Sequence, residues 1–132
     1  MNKELKERLN KIEAEFDELM DKLNVYDVSP SEAYELAAKF LAGSYRVNKI
    51  VRDVSNDIIR LDIREKASYK VAFDGIDNKI NVTKSKAIAS ADKDYLARMM
   101  EKEEAENAKS YWKGVYEVFT NAHIFYKLQT RE

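Results

Sequence analysis

Residues 29–75 read SPSEAYELAAKFLAGSYRVNKIVRDVSNDIIRLDIREKASYKVAFDG, and this stretch decides the fold. Ser29 suits a helix N-cap, Pro30 suits the first helical position, and Glu32 completes a capping box. No proline follows Pro30, and Gly43 is the only glycine before the end of the stretch. The pattern therefore predicts one long central helix.

The predicted central helix covers residues 30–73 and ends before Gly75, which is a natural C-terminal cap. Gly43 predicts either a kink or the close approach of another backbone. A helix of this length is roughly 60 Å long, whereas a compact domain of 132 residues has a radius of gyration of about 14 Å. We therefore expect an elongated long-helix bundle or helical hairpin that assembles into a homo-oligomer.

The N-terminal segment, residues 1–24, carries a narrow apolar seam with heptad spacing. Its members are Leu5, Leu9, Ile12, Phe16, Leu19 and Leu23. A seam this narrow buries against a single partner helix. The partner lies either in the same chain or in another subunit, and the sequence leaves both alternatives open. A break in the helix is predicted over residues 25–30.

Two further helices are predicted, a short one over residues 82–89 and an aromatic-rich one over residues 91–128. In the last helix, two adjacent apolar stripes form a broad face, which is typical of a bundle or a subunit interface. The predicted interface residues are Trp112, Tyr116, Phe119 and Phe125, with Leu9 and Phe16 of the N-terminal seam.

The composition predicts an all-α protein with a single helical domain over residues 1–132. Three glycines and one proline interrupt the chain, while 36% of residues are charged and 45% are hydrophobic. With no cysteine, a disulfide framework or a thiolate metal site is excluded. The N-terminus has no apolar signal core and no segment is long enough to cross a membrane, so a cytoplasmic location is expected.

The sequence offers little for catalysis. It has neither a phosphate-binding G-x-x-x-x-G-K-[ST] loop nor a dinucleotide-binding G-x-G-x-x-G motif. His123 is the only histidine, and a lone histidine on an aromatic face is more often a packing residue than a ligand or a base. The acidic run over residues 101–106 is interpreted as a solvated helix face. We therefore expect no metal, no cofactor and no enzymatic activity, and an unrecognised enzyme is the weakest of three hypotheses.

A basic segment between Lys39 and Lys70 has a net charge of +4, from eight basic and four acidic residues. Tyr45 and Tyr69 lie among the cations. Cations that follow phosphates beside aromatic rings that stack on bases are typical of single-strand binding. The alternative is a solvated face whose cations pair with neighbouring carboxylates. The candidate DNA-binding residues are Arg46, Lys49, Arg52, Arg60, Arg64, Lys66 and Lys70.

The order of motifs in the last two-thirds of the chain resembles the UvsY family of tailed-phage recombination mediators. A basic helix closes at residues 72–75, AFDG, and residues 89–95, ASADKDY, introduce a long helix. That helix holds Tyr-Trp at 111–112 and ends in HIFYKL at 123–128. In this family a basic central helix ends in an aromatic-x-Gly turn, and an Ala-Asp motif opens the last helix.

The resemblance implies a non-catalytic phage protein, acting in the bacterial cytoplasm, that forms ring-like homo-oligomers and binds single-stranded DNA. Its partners would be that DNA, a recombinase and a single-strand binding protein, which the recombinase replaces. The family's DNA contacts match Arg60, Arg64, Lys66 and Lys70 here, although Asp62 and Glu65 interrupt the basic pattern. The last helix would be the main assembly element. The remaining hypothesis is a helical protein-binding adaptor, including a phage inhibitor of a host protein.

Overall fold

The computed structural model describes residues 1–24 and 28–130. Helix α1 covers Lys3–Asp21 and continues as a 3₁₀ turn over Lys22–Asn24. Helices α2, α3 and α4 cover Pro30–Asp74, Val82–Ser90 and Lys93–Gln129. No strand occurs among these described residues, and the predicted all-α class is confirmed. Of the break predicted over residues 25–30, residues 25–27 lie outside the described part.

Short polar side chains set the beginning of each α-helix. Ser29 Oγ accepts the backbone N–H of Glu32 at 3.2 Å, as the capping box predicted. Asn2 and Asn81 cap α1 and α3 in the same way. Asp92 Oδ1 accepts the N–H groups two and three residues on, both at 3.0 Å. This cap explains why α4 begins at residue 93 and not at residue 91.

Helix α2 ends just before Gly75, as predicted. The helix ends at Asp74, one residue beyond the predicted end. However, no described glycine has a positive φ, so Gly75 does not form a left-handed cap. Its N–H instead donates to the carbonyl of Val71 at 3.1 Å, and Ile76 N–H donates to the carbonyl of Phe73 at 3.2 Å. The last turn therefore tightens without the special backbone conformation that only glycine adopts readily.

The chain forms two compact units, and both long helices take part in each of them. The terminal unit contains residues 2–53 and the described residues from 109 onward, and the middle unit contains residues 54–108. The sequence had predicted a single helical domain. Among the described helices, none is long and apolar enough to cross a membrane.

The terminal unit is built around aromatic side chains from α1, α2 and α4. The ring centroid of Phe119 lies 5.1 Å from that of Phe16 and 5.3 Å from that of Phe40, both edge to face. Phe40 also stacks on Tyr126 at 5.7 Å. The Tyr126 hydroxyl donates to the carbonyl of Lys22 at 3.2 Å. Each contact joins two helices, so these rings fix how α1, α2 and α4 pack in this unit.

Gly43 lies where the ring of Phe119 meets α2. A Cβ atom at this position would lie 2.8 Å from two ring carbons of Phe119. Such a distance is far below van der Waals contact. The close approach at Gly43 is therefore made by a side chain of α4 and not by a backbone.

The middle unit has a smaller apolar interior supplemented by ion pairs. Val54, Leu61, Ala89 and Ala105 are buried there. Lys102 of α4 reaches two carboxylates of α2, Asp62 at 2.7 Å and Glu65 at 3.2 Å. The hydrogen bond from Lys102, and then the one from Lys66, lowers the pKa of Asp62. Both carboxylates also hold the pKa of the Lys102 ammonium above its usual value.

Candidate nucleic-acid interface

One side of α2 in the terminal unit presents an aromatic ring beside two cations. We call this surface the Tyr45 face; it consists of Tyr45, Asn48, Lys49 and Arg52. These residues stand at positions i, i+3, i+4 and i+7, which share one side of a helix. The opposite side of the same turns buries Val47 and Ile50. Burial of that side directs the Tyr45 face to solvent.

The groups of the Tyr45 face are free to bind a ligand. The Tyr45 ring is 68% exposed, and it borders an open groove of about 480 Å³ with Lys49 and Arg52. Within residues 1–24 and 28–130, neither cation forms an ion pair. The neighbouring carboxylate of Asp53 is bound by Arg8 of α1, through a short ion pair. Asp53 therefore does not neutralise Arg52.

Arg46 was predicted to belong to the same cationic group, but the structure places it in the packing of α1 on α2. Its guanidinium donates to Glu15 at 2.8 Å and lies 5.1 Å from the centroid of the Phe16 ring. Arg46 is thus engaged by a carboxylate and by an aromatic ring. Its charge is partly offset by Glu15, unlike the charges of Lys49 and Arg52.

Two of the predicted cations in the middle unit are also paired. Arg60 donates to Asp57 at 2.8 Å, and this carboxylate is buried. The second oxygen, Asp57 Oδ2, has no hydrogen-bond partner in the described part of the chain. Lys66 lies 2.9 Å from Asp62, although its side chain stays largely exposed. Both pairs lie within α2, as expected for a helix face that neutralises its own charges.

Arg64 and Lys70 remain exposed, and neither forms an ion pair with a described residue. The aromatic ring predicted to accompany them is differently placed. Tyr69 is half-buried, with its ring centroid 5.2 Å from that of Tyr95 and 6.3 Å from that of Phe73. This ring stabilises the middle unit and offers a base less surface than Tyr45 does. The structure thus brings an exposed aromatic ring together with unpaired cations at the Tyr45 face.

Asn48 is a member of this face that the sequence analysis did not single out. It lines the groove with Tyr45 and is exposed. Its amide offers both donors and an acceptor to a phosphate or a base edge. The signal that would have found it is the i+3 spacing from Tyr45, which places the two residues on one side of the helix.

The residues predicted to join subunits fall into two groups. Leu9, Phe16, Trp112 and Phe119 are buried within the terminal unit of a single chain. The N-terminal seam therefore finds its partner helices in its own chain, and these four side chains are not available to a second copy. Tyr116 and Phe125 are exposed, at 37% and 48%.

His123 serves the packing of α4 on α2. Its Nδ1 lies 2.8 Å from the carbonyl oxygen of Ala37. Because a carbonyl oxygen only accepts, Nδ1 carries the proton and donates it. In the described ranges, no group of three or more His, Cys, Asp or Glu side chains is placed to hold a metal ion.

Comparisons with protein-family models, with curated protein sequences and with solved structures give no match to this chain.

Proposed function

We propose that this protein binds single-stranded DNA, without catalytic activity, and serves as a recombination mediator of the tailed-phage type. The observation that carries the proposal is the Tyr45 face, where an exposed ring stands beside two unpaired cations. Every base has a π-face, so stacking on Tyr45 is independent of sequence. Lys49 and Arg52 neutralise the phosphates that flank the stacked base.

The length of the Tyr45 face limits how many nucleotides one copy of the protein can bind. Seven residues separate Tyr45 from Arg52, a rise of about 10 Å along the helix. At roughly 3.4 Å per nucleotide in a fully stacked strand, and more where bases separate, one copy covers at most about three nucleotides. A site this short binds weakly. Repeating it in a homo-oligomer raises the effective concentration and converts weak contacts into useful affinity.

The mediator role rests on the resemblance to the UvsY family. In that role the oligomer, ring-shaped as in that family, holds the strand and delivers it to a recombinase while the single-strand binding protein leaves. The partners are single-stranded DNA, the recombinase and the single-strand binding protein, in the cytoplasm of a phage-infected bacterium. The reaction is a transfer of bound DNA between proteins, and no bond is made or broken.

A specific observation favours the alternative, a protein-binding adaptor. Ile59 and Ile63 of α2 are 61% and 64% exposed. Branched aliphatic side chains do not stack on bases, but they are typical of surfaces that bind protein. These residues lie in the middle unit, apart in sequence from the Tyr45 face.

Titration of a fluorescent thymidine oligonucleotide, followed by anisotropy at about 50 and 200 mM salt, tests strand binding. Replacing Tyr45 by Ala is expected to weaken binding by roughly 5- to 150-fold, because base stacking contributes about 1–3 kcal/mol. Replacing both Lys49 and Arg52 by Gln is expected to reduce the salt slope by about 0.7 for each lost phosphate contact.

Tyr34 provides the matched control. It lies on the same helix and is 72% exposed, but its neighbours in sequence are Glu32 and Glu35 rather than cations. Tyr34→Ala is expected to leave affinity unchanged. Binding that does not depend on salt, absence of binding at low salt, or equal losses for Tyr34→Ala and Tyr45→Ala would each refute strand binding by this face.

A further inference from the structure

The outer surfaces of the middle unit carry two exposed patches of opposite charge. On α2, Ile59 and Ile63 form an aliphatic ridge that no part of the described chain covers. Cations lie on both sides of this ridge. We call the ridge and its cations the basic-aliphatic face: Ile59, Ile63, Arg64, Lys66 and Lys70.

The second patch lies on α4. Met100 is 70% exposed, and Leu96 is also exposed one turn earlier. Exposed carboxylates accompany them, and Met100 and Glu103 border one open apolar groove. We call this surface the acidic-apolar face: Leu96, Met100, Glu103, Glu106 and Asn107.

Helical geometry places the apolar centres of these two faces, Ile63 and Met100, on opposite sides of the middle unit. Ile63 lies two residues from the fully buried Leu61, about 160° around α2. Met100 lies five residues from the fully buried Ala105, about 140° around α4. The inner sides of α2 and α4 meet through Lys102 and its two carboxylates. One chain therefore cannot bring its own two faces together.

We propose that the basic-aliphatic face of one copy binds the acidic-apolar face of a second copy. The two faces are complementary. The apolar side chains of one face can pack on those of the other, and the cations of one face can pair with the carboxylates of the other. A contact between two different faces is heterologous, and repetition of such a contact produces a ring or a filament. This interface deepens the proposed function, which rests on a homo-oligomer, but it does not involve the Tyr45 face.

The spacing of the two faces supports this pairing. Ile59, Ile63, Lys66 and Lys70 are separated by 4, 3 and 4 residues, and so are Leu96, Met100, Glu103 and Asn107. Two helices that share this repeat interlock along one seam. The apolar pair occupies the N-terminal half of each set and the polar pair the C-terminal half. The matching pattern gives both faces the same length, about 17 Å.

Charge reversal provides the test, since it uses exposed residues that form no ion pair with the described part of the chain. One variant carries Arg64→Glu and Lys70→Glu, and the other carries Glu103→Lys and Glu106→Lys. Light scattering in the absence of DNA measures the mass of each. The wild type is expected to give a multiple of 15.4 kDa. Each variant alone is expected to require at least tenfold more protein to assemble, because its two faces then repel.

Mixing the two variants is expected to restore assembly. The unchanged acidic face of the first variant meets the unchanged basic face of the second, and the two reversed faces also match. A contact of one face with itself would instead leave the variant whose other face is reversed assembling as wild type does. A control variant with Lys84→Glu and Lys86→Glu makes the same charge change on exposed lysines of α3 and is expected to keep the wild-type mass. Circular dichroism checks that every variant retains its helix content.

Three outcomes would overturn the interface: a wild-type mass of one chain at all concentrations, unchanged assembly of the single variants, or a mixture that stays unassembled. If a charge variant loses its helix content, Ile63→Ser and Met100→Ser provide the same test without a change in charge, and each is expected to weaken assembly. The proposed function fails separately, through loss of oligonucleotide binding by an assembled protein. Tyr45→Ala is expected to weaken strand binding and to leave the mass unchanged.

Discussion

The terminal unit and the middle unit use the same two long helices but are stabilised by different means. In the terminal unit, rings from three helices contact one another, and Phe40 and Phe119 are fully buried. In the middle unit, the buried apolar side chains are small or aliphatic, and Lys102 joins α2 to α4 through two carboxylates. Aromatic burial contributes far more free energy than partly exposed ion pairs do.

The two units also differ in the side chains that they expose to solvent. A strongly packed interior lets the terminal unit present an exposed ring and unpaired cations at the Tyr45 face without losing stability. The middle unit leaves aliphatic side chains exposed on its outer sides. Its interior buries few apolar side chains, so a second copy that covered the exposed ones would add apolar burial. We therefore expect the terminal unit to resist unfolding by itself and the middle unit to gain stability from assembly.

The largest effect is expected from Phe119→Ala, which removes a fully buried ring at the centre of the terminal unit. We expect the free energy of unfolding to fall by about 3–5 kcal/mol. Chemical denaturation followed by circular dichroism measures it. Phe125→Ala, on the same helix with a half-exposed ring, is the control and is expected to cost about 1 kcal/mol or less. Equal losses for the two variants would contradict the aromatic core described here.

A smaller effect, with opposite signs at two glycines, is expected from Gly→Ala substitutions. At Gly43 the new methyl group would meet the Phe119 ring at 2.8 Å, so the variant is expected to lose about 1–3 kcal/mol. At Gly114, in the interior of α4, no atom lies within 4 Å of an added Cβ. Alanine there is expected to stabilise the chain by about 1 kcal/mol, because glycine disfavours helix. The same denaturation experiment compares them, and a stabilised Gly43→Ala variant would contradict the packing.

Local patterns were sufficient to predict the helices. The capping box at Ser29 and the absence of proline after Pro30 predicted α2 to within one residue of its observed end, and the ends of α1, α3 and α4 were predicted to within three residues. These features depend on neighbours three or four residues away, which the sequence displays directly. Helix α2 ends next to Gly75 as predicted, but backbone hydrogen bonds to earlier carbonyls close its last turn and Gly75 has no positive φ.

The candidate site was predicted less completely, because the state of each cation depends on distant residues. Arg46 and Lys49 look equivalent in sequence. In the structure, however, Arg46 donates a hydrogen bond to Glu15 and lies over the ring of Phe16, both in α1. Tyr45 and Tyr69 also look equivalent, but Tyr69 packs on Tyr95. The N-terminal seam gave no sign of whether its partner helices belonged to the same chain. Contacts between residues far apart in sequence decide all three cases.

The smallest effect concerns the ion pairs of the middle unit and appears as a dependence on pH. The hydrogen bond from Lys102, followed by that from Lys66, lowers the pKa of Asp62 from its ordinary value of 3.8. A carboxyl group whose pKa is lower in the folded than in the unfolded state adds stability above the unfolded value. That contribution disappears as the pH falls through the lower, folded value. We therefore expect the melting temperature of the wild type to exceed that of Asp62→Asn at pH 6. The difference between the two melting temperatures is expected to shrink as the pH falls below 3.8.

Thermal unfolding between about pH 2.5 and 6, a range that spans the usual titration of aspartate, measures this difference. Glu117→Gln is the control, because Glu117 is an exposed carboxylate of α4 that lies outside both proposed faces and has no ion-pair partner among the described residues. Its melting temperature is expected to follow that of wild type at every pH. If the melting temperature of Asp62→Asn stays below that of wild type by the same amount at low pH, the charge of Asp62 does not contribute to the stability of the protein. The middle unit would then depend on packing alone, as the terminal unit does.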